Sequence, residues 1–136
     1  MPEWSPLMGV GVQEIDEGHR ELVEQLGELG LAMKRGRGRE RLAELLRFLR
    51  LHADEHFAAE EELMARHGYP DRAEHQARHE AFRAELAARE EVFSLDPDTP
   101  GVVTEIHGWI LRWLSHHEIA ADAPLGEYLR QAGVRP

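Results

Sequence analysis

The strongest constraint on the fold of this chain is the regular spacing of its apolar residues, which recur every three or four positions. The spacing is found in four segments, and short breaks with Gly, Pro or Asp separate them. Such stripes are typical of helices that pack along one face, and short connections make successive helices antiparallel neighbours. The pattern therefore predicts an all-α protein, an antiparallel up-down-up-down four-helix bundle, with helices over about residues 16–35, 39–67, 72–93 and 100–122.

The breaks carry signals for helix ends. Asp71, with Glu74 three residues later, is the predicted N-cap of the third helix. Thr99 is the predicted N-cap of the fourth helix, with Pro100 at its first helical position. The chain is expected to form a single domain, 1–136, with an N-terminal arm over residues 1–15 and a short C-terminal helix over residues 125–131.

Composition excludes several classes of function. The net charge of −10 argues against a nucleic-acid partner, because the sequence lacks a basic stripe to meet the phosphate backbone. No cysteine is present, which rules out disulfides, zinc–thiolate sites and iron–sulfur clusters. We expect no targeting peptide, because residues 1–4 lack a basic start and an apolar run, and the apolar stretches of the sequence are too short to span a bilayer. We therefore expect a soluble protein of the cytoplasm without a membrane partner; the sequence indicates no protein partner.

Histidine and glutamate occupy stripe positions at which the pattern predicts Leu or Ile. A buried carboxylate is costly unless something compensates its charge. With antiparallel helices, the early part of the first and third helices lies at the same end as the late part of the second and fourth. The polar stripe residues therefore converge in one layer, which contains His19, the pair His56 and Glu60, the pair His75 and His79, and His117.

The spacing of these residues favours a metal site. The two i,i+4 pairs lie about 40° apart on a helix, so both members of a pair can face one ion. Asp122 follows His117 by five residues, about 140° around an ideal helix. Asp122 can join the layer only if the helix is locally distorted or ends there. The following Ala123-Pro124 favours such an end.

The donor types indicate which metals fit. Imidazole and carboxylate without thiolate suit iron, manganese, zinc or copper. Seven ligands are too many for one ion, so we expect two ions bridged by the carboxylates, with one coordination position left open. Any one of these histidines alone would be interpreted as a hydrogen-bonded residue of the core. We interpret His67 and His107 in this way. His52 and His116 are ambiguous, because each neighbours a stronger candidate.

Several stretches of the sequence resemble those of bacterial hemerythrins. The resemblance covers nearly the whole chain and rests on residues 15–22, residues 56–64, His75 with His79, residues 113–117 followed by Asp122, and also Trp4, Tyr69-Pro70 and residues 125–129. It implies a non-haem site with two iron ions and a bridging oxide or hydroxide, which binds dioxygen or another small ligand reversibly. By the same resemblance, one iron would be held by His75, His79 and His117 and the other by His19 and His56, with Glu60 and Asp122 bridging the two.

The resemblance also identifies the pocket around the open position, and one departure in it. Leu22, Phe57, Trp113 and Leu114 match apolar pocket positions, where they would exclude water. Glu118 stands where the family usually has Ile. Its carboxylate could face solvent, occupy the open position or supply protons that speed autoxidation. The resemblance implies a dioxygen-binding protein for transport, storage or sensing, and the departure at Glu118 leaves a di-iron peroxidase or oxidase as the alternative.

Two further readings are disfavoured. Ferritin-like iron sites are built mainly from Glu in an E-x-x-H pattern, whereas this layer is rich in histidine. A metal-free interaction bundle would leave buried charges uncompensated. His52 departs from the aromatic residue expected one turn before His56, and we expect it to contact the ligands from behind.

Overall fold

The computed structural model describes residues 12–96, 98, 101–119 and 122–134, without the side chains of residues 14 and 117–119. Within these ranges the chain is helical and contains no strand, so the all-α prediction is confirmed. The helices are α1 (Gln13–Lys34), α2 (Gly38–Arg66), α3 (Arg72–Leu95), α4 (Val102–Trp113) and α5 (Asp122–Gln131), and a π-helical segment, Leu114–Ile119, follows α4. Most of the predicted N-terminal arm lies outside the described residues, and residues 13–15 belong to α1 instead.

Ion pairs between neighbouring helices show that the bundle is antiparallel. In each pair, a residue from the early part of one helix meets a residue from the late part of its neighbour. The pairs join Arg41 to Glu28, Arg50 to Glu90 and Arg89 to Glu105. Such exposed pairs add little to stability, but they show that α1 to α4 alternate in direction.

Two apolar clusters fill the interior. The larger lies in the body of the bundle, and its fully buried members include Leu22, Leu26, Leu45 and Phe57. The smaller closes one end, where α5 packs on the others, and consists of Val12, Ile15, Leu63, Met64, Leu125 and Leu129. The polar layer lies between them, since His19 falls between Ile15 and Leu22 along α1. None of the described helices has an apolar stretch long enough to cross a bilayer.

Of the two predicted helix starts, that of α3 is confirmed and that of α4 is wrong. Asp71 is the N-cap residue of α3, but its side chain makes no capping hydrogen bond. The N-cap of α4 is Gly101 rather than Thr99, and it has a positive φ of 81°. Glycine adopts this left-handed conformation without steric cost, so the helix begins after Gly101 and not at Pro100. Thr99 and Pro100 themselves lie outside the described residues.

The fourth predicted helix does not continue to Asp122. It changes to π-helix at Leu114, and a separate helix, α5, begins at Asp122. The expected local distortion is therefore confirmed, since the π-helical segment contains His117, whereas the placement of Asp122 at the end of the fourth helix is wrong. The predicted short C-terminal helix is confirmed as α5, but it begins at Asp122 and not at Leu125. A proline is tolerated in a first helical turn, so Pro124 lies within this helix.

The hydroxyl group of Tyr128 attaches α5 to the turn between α2 and α3. It donates to the carbonyl oxygen of His67 at 2.7 Å and lies 3.1 Å from that of Gly68. The Tyr128 ring also meets the Tyr69 ring edge-on, with centroids 5.2 Å apart. These contacts attach α5, the helix that carries Asp122, to the bundle end.

Replacing a core leucine should destabilise the bundle. Leu26 is fully buried, so Leu26→Ala should lower the free energy of unfolding by about 2–5 kcal/mol, through lost burial and a residual cavity. Leu51, which is 56% exposed, is the matched control, and Leu51→Ala should change it by less than about 0.5 kcal/mol. Urea unfolding followed by circular dichroism measures both. Equal losses in the two variants would contradict this description of the core.

Candidate metal centre

Six of the seven predicted ligand side chains come together in one buried layer. Each of the six is at most 7% exposed. Helix α1 provides His19, α2 provides His56 and Glu60, α3 provides His75 and His79, and α5 provides Asp122. The seventh, His117, lies in the π-helical segment, and its side chain is not among those described.

The two carboxylate oxygens of Glu60 face different histidines. Oε2 lies 2.6 Å from Nε2 of His56. Oε1 lies 2.9 Å from Nε2 of His75 and 3.4 Å from Nε2 of His79. Glu60 therefore lies between a histidine of α2 and the two histidines of α3.

Asp122 has the same kind of arrangement. Its Oδ2 lies 2.8 Å from Nε2 of His19, and its Oδ1 lies 2.9 Å from Nε2 of His75. Both carboxylates thus extend from the imidazoles of α1 and α2 to those of α3. The two carboxylates thereby connect four imidazoles from three helices.

The donor atoms form two overlapping groups that could hold metal. Within each group, all atoms lie within 4.8 Å of one another, and Glu60 belongs to both: His19, His56, Glu60 and Asp122 form one group, and Glu60, His75 and His79 the other. The donors are imidazole nitrogens and carboxylate oxygens, a set that fits iron and the other metals expected from the sequence. The residues present therefore fit a metal centre.

The charges in the layer shift the pKa values of its members. Burial raises the pKa of Asp122 to about 6, and repulsion from Glu60 adds to the effect. Burial also opposes ionisation of Glu60, but hydrogen bonds from His56, His75 and His79 prevail and hold its pKa well below the usual range. Burial would lower the pKa of His75, yet Asp122 and Glu60 on either side raise it to about 9. Without metal, His75 is a cation between two carboxylates at neutral pH.

Four of the predicted pocket residues are buried or partly buried, and one of them contacts the layer directly. Leu22 and Phe57 are fully buried, and Leu114 is 4% exposed. The Phe57 ring stacks on the His79 ring with centroids 3.8 Å apart, and it lies 5.9 Å from the ring of Trp113, which is partly buried. The side chain of Glu118 is not described, so its predicted place in the pocket stays a prediction.

The remaining histidines occupy different surroundings. His52 is buried and stacks on the ring of His56, with centroids 4.7 Å apart, so it lies behind a candidate ligand. His116 is exposed, and its Nδ1 donates to the carbonyl oxygen of Arg112 at 2.9 Å. His67 and His107 are partly buried, and burial lowers the pKa of His107. None of these four belongs to the two donor groups found among the described residues.

Sequence reasoning missed two residues that contact candidate ligands. Glu61 accepts a hydrogen bond from Nδ1 of His79, with an N–O distance of 2.8 Å. Gly18 lies so close to His56 that a Cβ atom there would be 2.0 Å from the ring Nδ1. The glycine inside a predicted helix was a signal for Gly18, because glycine in a helix interior usually has a packing reason. Glu61 was hidden within a run of three glutamates that resembles an ordinary exposed surface.

Comparison with known proteins agrees with this geometry. The family model described as Hemerythrin HHE cation binding domain matches residues 10–118. A bacteriohemerythrin of Stenotrophomonas maltophilia (strain R551-3) is 32% identical over 117 residues, which cover 84% of this chain and 72% of that protein. A bacteriohemerythrin of Pseudomonas aeruginosa (strain LESB58) is 30% identical over 129 residues, covering 95% and 82%. The chain belongs to the hemerythrin family.

A methyl group at Gly18 should disturb the metal centre. Gly→Ala inside a helix ordinarily stabilises it by about 0.5–1 kcal/mol, but Gly18→Ala would force the His56 ring to move. We expect this variant to bind fewer Co²⁺ ions per chain than the unaltered protein, in a titration of the metal-free form followed by visible absorption. Gly108→Ala is the control, because a Cβ there would meet only the flexible end of Arg112 at 3.3 Å. Unchanged Co²⁺ binding by Gly18→Ala would refute the close approach.

Metal binding near neutral pH should release protons. The pKa of His75 is raised to about 9, so at pH 7 its ring is protonated and must lose a proton before it can bind an ion. We expect release of about one proton per chain from His75 at pH 7, and the release should decline as the pH rises through 9. Calorimetric titration with Zn²⁺ in buffers of different ionisation enthalpy measures this number. Equal release at pH 7 and pH 10 would show that His75 is not the source.

Proposed function

We propose that this chain is a non-haem di-iron protein that binds dioxygen reversibly. The observation that supports this proposal most directly is the arrangement of Glu60 and Asp122, whose two oxygens each face histidines from different helices. A carboxylate that serves one ion needs one set of partner ligands, whereas a carboxylate that bridges two ions needs a set at each oxygen. The contacts of Glu60 and those of Asp122 therefore both favour a bridging role.

The same contacts support the division of ligands that the family resemblance implies. His75 and His79 on α3 would hold one ion together with His117, which the family resemblance adds. His19 on α1 and His56 on α2 would hold the other. Glu60 and Asp122 would bridge the two ions, and an oxide or hydroxide would complete the bridge. The second ion then has fewer protein ligands than the first, so it would keep the open position for a small ligand.

The donor types suit iron, manganese, zinc or copper alike, and the family to which the chain belongs favours iron among them. Bound ferrous ions would supply the electrons that dioxygen takes up on binding. The protein itself would hold the imidazoles in place and exclude water from the pocket. Leu22, Phe57 and Leu114 are buried apolar neighbours that serve the second purpose, because a dry pocket denies protons to a reactive ligand. The lack of cysteine suits a reducing compartment, and we place the protein in the cytoplasm.

The test is a cycle of dioxygen binding and removal. The iron-loaded protein is reduced without air, exposed to dioxygen and then returned to an inert atmosphere, with visible absorption recorded at each stage. We expect a charge-transfer band that appears with dioxygen and disappears on its removal, at two irons per chain. The zinc-loaded protein, which has no electrons to give, should show no band. Fewer than two irons per chain would overturn the proposal.

Glu118 decides between the carrier and the enzymatic alternative. If its carboxylate speeds loss of the oxygenated form, Glu118→Ile should lengthen the lifetime of that form by about tenfold or more, since an added polar group favours proton delivery. Immediate oxidation of the unaltered protein, together with turnover of added peroxide, would favour a di-iron peroxidase or oxidase. A reversible band with the same lifetime in the unaltered protein and in the Glu118→Ile variant would mean that Glu118 has no effect on the pocket.

A further inference from the structure

The glutamate run on α2 divides into three environments. The side chain of Glu60 is 1% exposed and lies within the metal layer. That of Glu61 is 27% exposed and accepts a hydrogen bond from His79. That of Glu62 is 69% exposed and pairs with Arg66 one turn along the helix. Only the middle residue contacts the ring of a candidate ligand from outside the layer.

We propose that Glu61 is a positioning residue that orients His79 toward the metal centre. Its Oε2 lies 2.8 Å from Nδ1 of His79, on the opposite side of the ring from the candidate metal. Nε2 of the same ring points inward and lies 3.4 Å from Oε1 of Glu60. This inference rests on the proposed function, because it assigns Glu61 a role toward an ion that His79 would hold.

The hydrogen bond selects which nitrogen of His79 is available. A neutral imidazole has one N–H donor and one lone pair, and a carboxylate at Nδ1 requires the proton there. The lone pair is then on Nε2, the atom that faces the layer. A carboxylate on the outer nitrogen also makes the imidazole a stronger ligand, because it stabilises the positive charge that the ring acquires on metal binding.

Two neighbours together fix the ring completely. Phe57 stacks on His79 with an interplanar angle of 3°, which sets the plane of the ring. A half-turn about the Cβ–Cγ bond would keep that plane but exchange the positions of the ring nitrogens and carbons, and the hydrogen bond from Nδ1 to Glu61 disfavours this turn. Loss of Glu61 should therefore leave the ring buried and stacked but without a fixed inner nitrogen.

The experiment compares the metal affinity of matched variants. Glu61→Ala removes the acceptor, Glu61→Gln keeps a carbonyl oxygen that can still accept from Nδ1, and Glu62→Ala is the control on the exposed face. Metal-free proteins are titrated with Co²⁺, and circular dichroism checks that each variant is as helical as the unaltered chain. We expect Glu61→Ala to weaken binding of one of the two ions by about 10- to 100-fold, and Glu61→Gln to weaken it less.

The outcomes separate this inference from the proposed function. If Glu61→Ala binds both ions as tightly as Glu62→Ala does, the positioning role is wrong while the metal centre stands. If Glu61→Gln loses as much affinity as Glu61→Ala, the hydrogen bond is not the cause and the role is also wrong. If the unaltered chain binds no Co²⁺, both proposals fail. Metal binding without a dioxygen band would overturn the proposed function alone.

Discussion

The structure depends on the burial of two carboxylates in the interior of a small helical bundle. Glu60 and Asp122 are almost completely removed from solvent, and an isolated buried carboxylate would be strongly destabilising. The compensation comes from imidazoles on three different helices, which can reach these oxygens only if α1, α2 and α3 meet at one level. The relative position of the helices and the residue composition of the layer therefore depend on each other. Antiparallel packing with short connections brings the required residues to one level.

The apolar clusters on either side of the layer make this arrangement rigid. Phe57 belongs to the larger cluster, yet its ring lies flat against His79. His52 is stacked on His56 in a similar way. Aromatic packing thus continues directly into the candidate ligands, so the donor atoms are held in place before any ion arrives. A site prepared in this manner loses little conformational freedom on binding, which favours tight and selective coordination.

The sequence predicted the parts of this arrangement that repeat with helical periodicity. His56 with Glu60, and His75 with His79, are i,i+4 pairs, and their angular separation is fixed by the helix itself. Asp122 was harder to place, because a separation of five residues has no meaning on an ideal α-helix. The structure resolves it with a π-helical segment, which has no reliable sequence signal, and with the C-terminal helix, which was predicted but begins three residues earlier than expected.

Contacts between side chains of different helices could not be predicted from the sequence. Nothing in the glutamate run distinguishes Glu61 from Glu62, since both lie on α2 beside a core position. Their difference arises only when α3 places His79 next to one of them. Gly18 was visible as an unusual residue within a helix, but the ring that requires its small size comes from α2, 38 positions later. Helical periodicity predicts where the polar layer lies, whereas tertiary packing determines which other residues contact its members.

The separate origin of Asp122 has a consequence for how ions enter and leave. Asp122 comes from a ten-residue helix that packs on the bundle end through Leu125, Leu129 and the Tyr128 hydroxyl. Small peripheral elements open more readily than a whole domain unfolds. Detachment of α5 would withdraw one carboxylate, whereas the donors on α1, α2 and α3 belong to the longer helices of the bundle. The exchange of ions with solvent would then follow the local opening rate of this helix, and the folded chain could be loaded without passing through its denatured state.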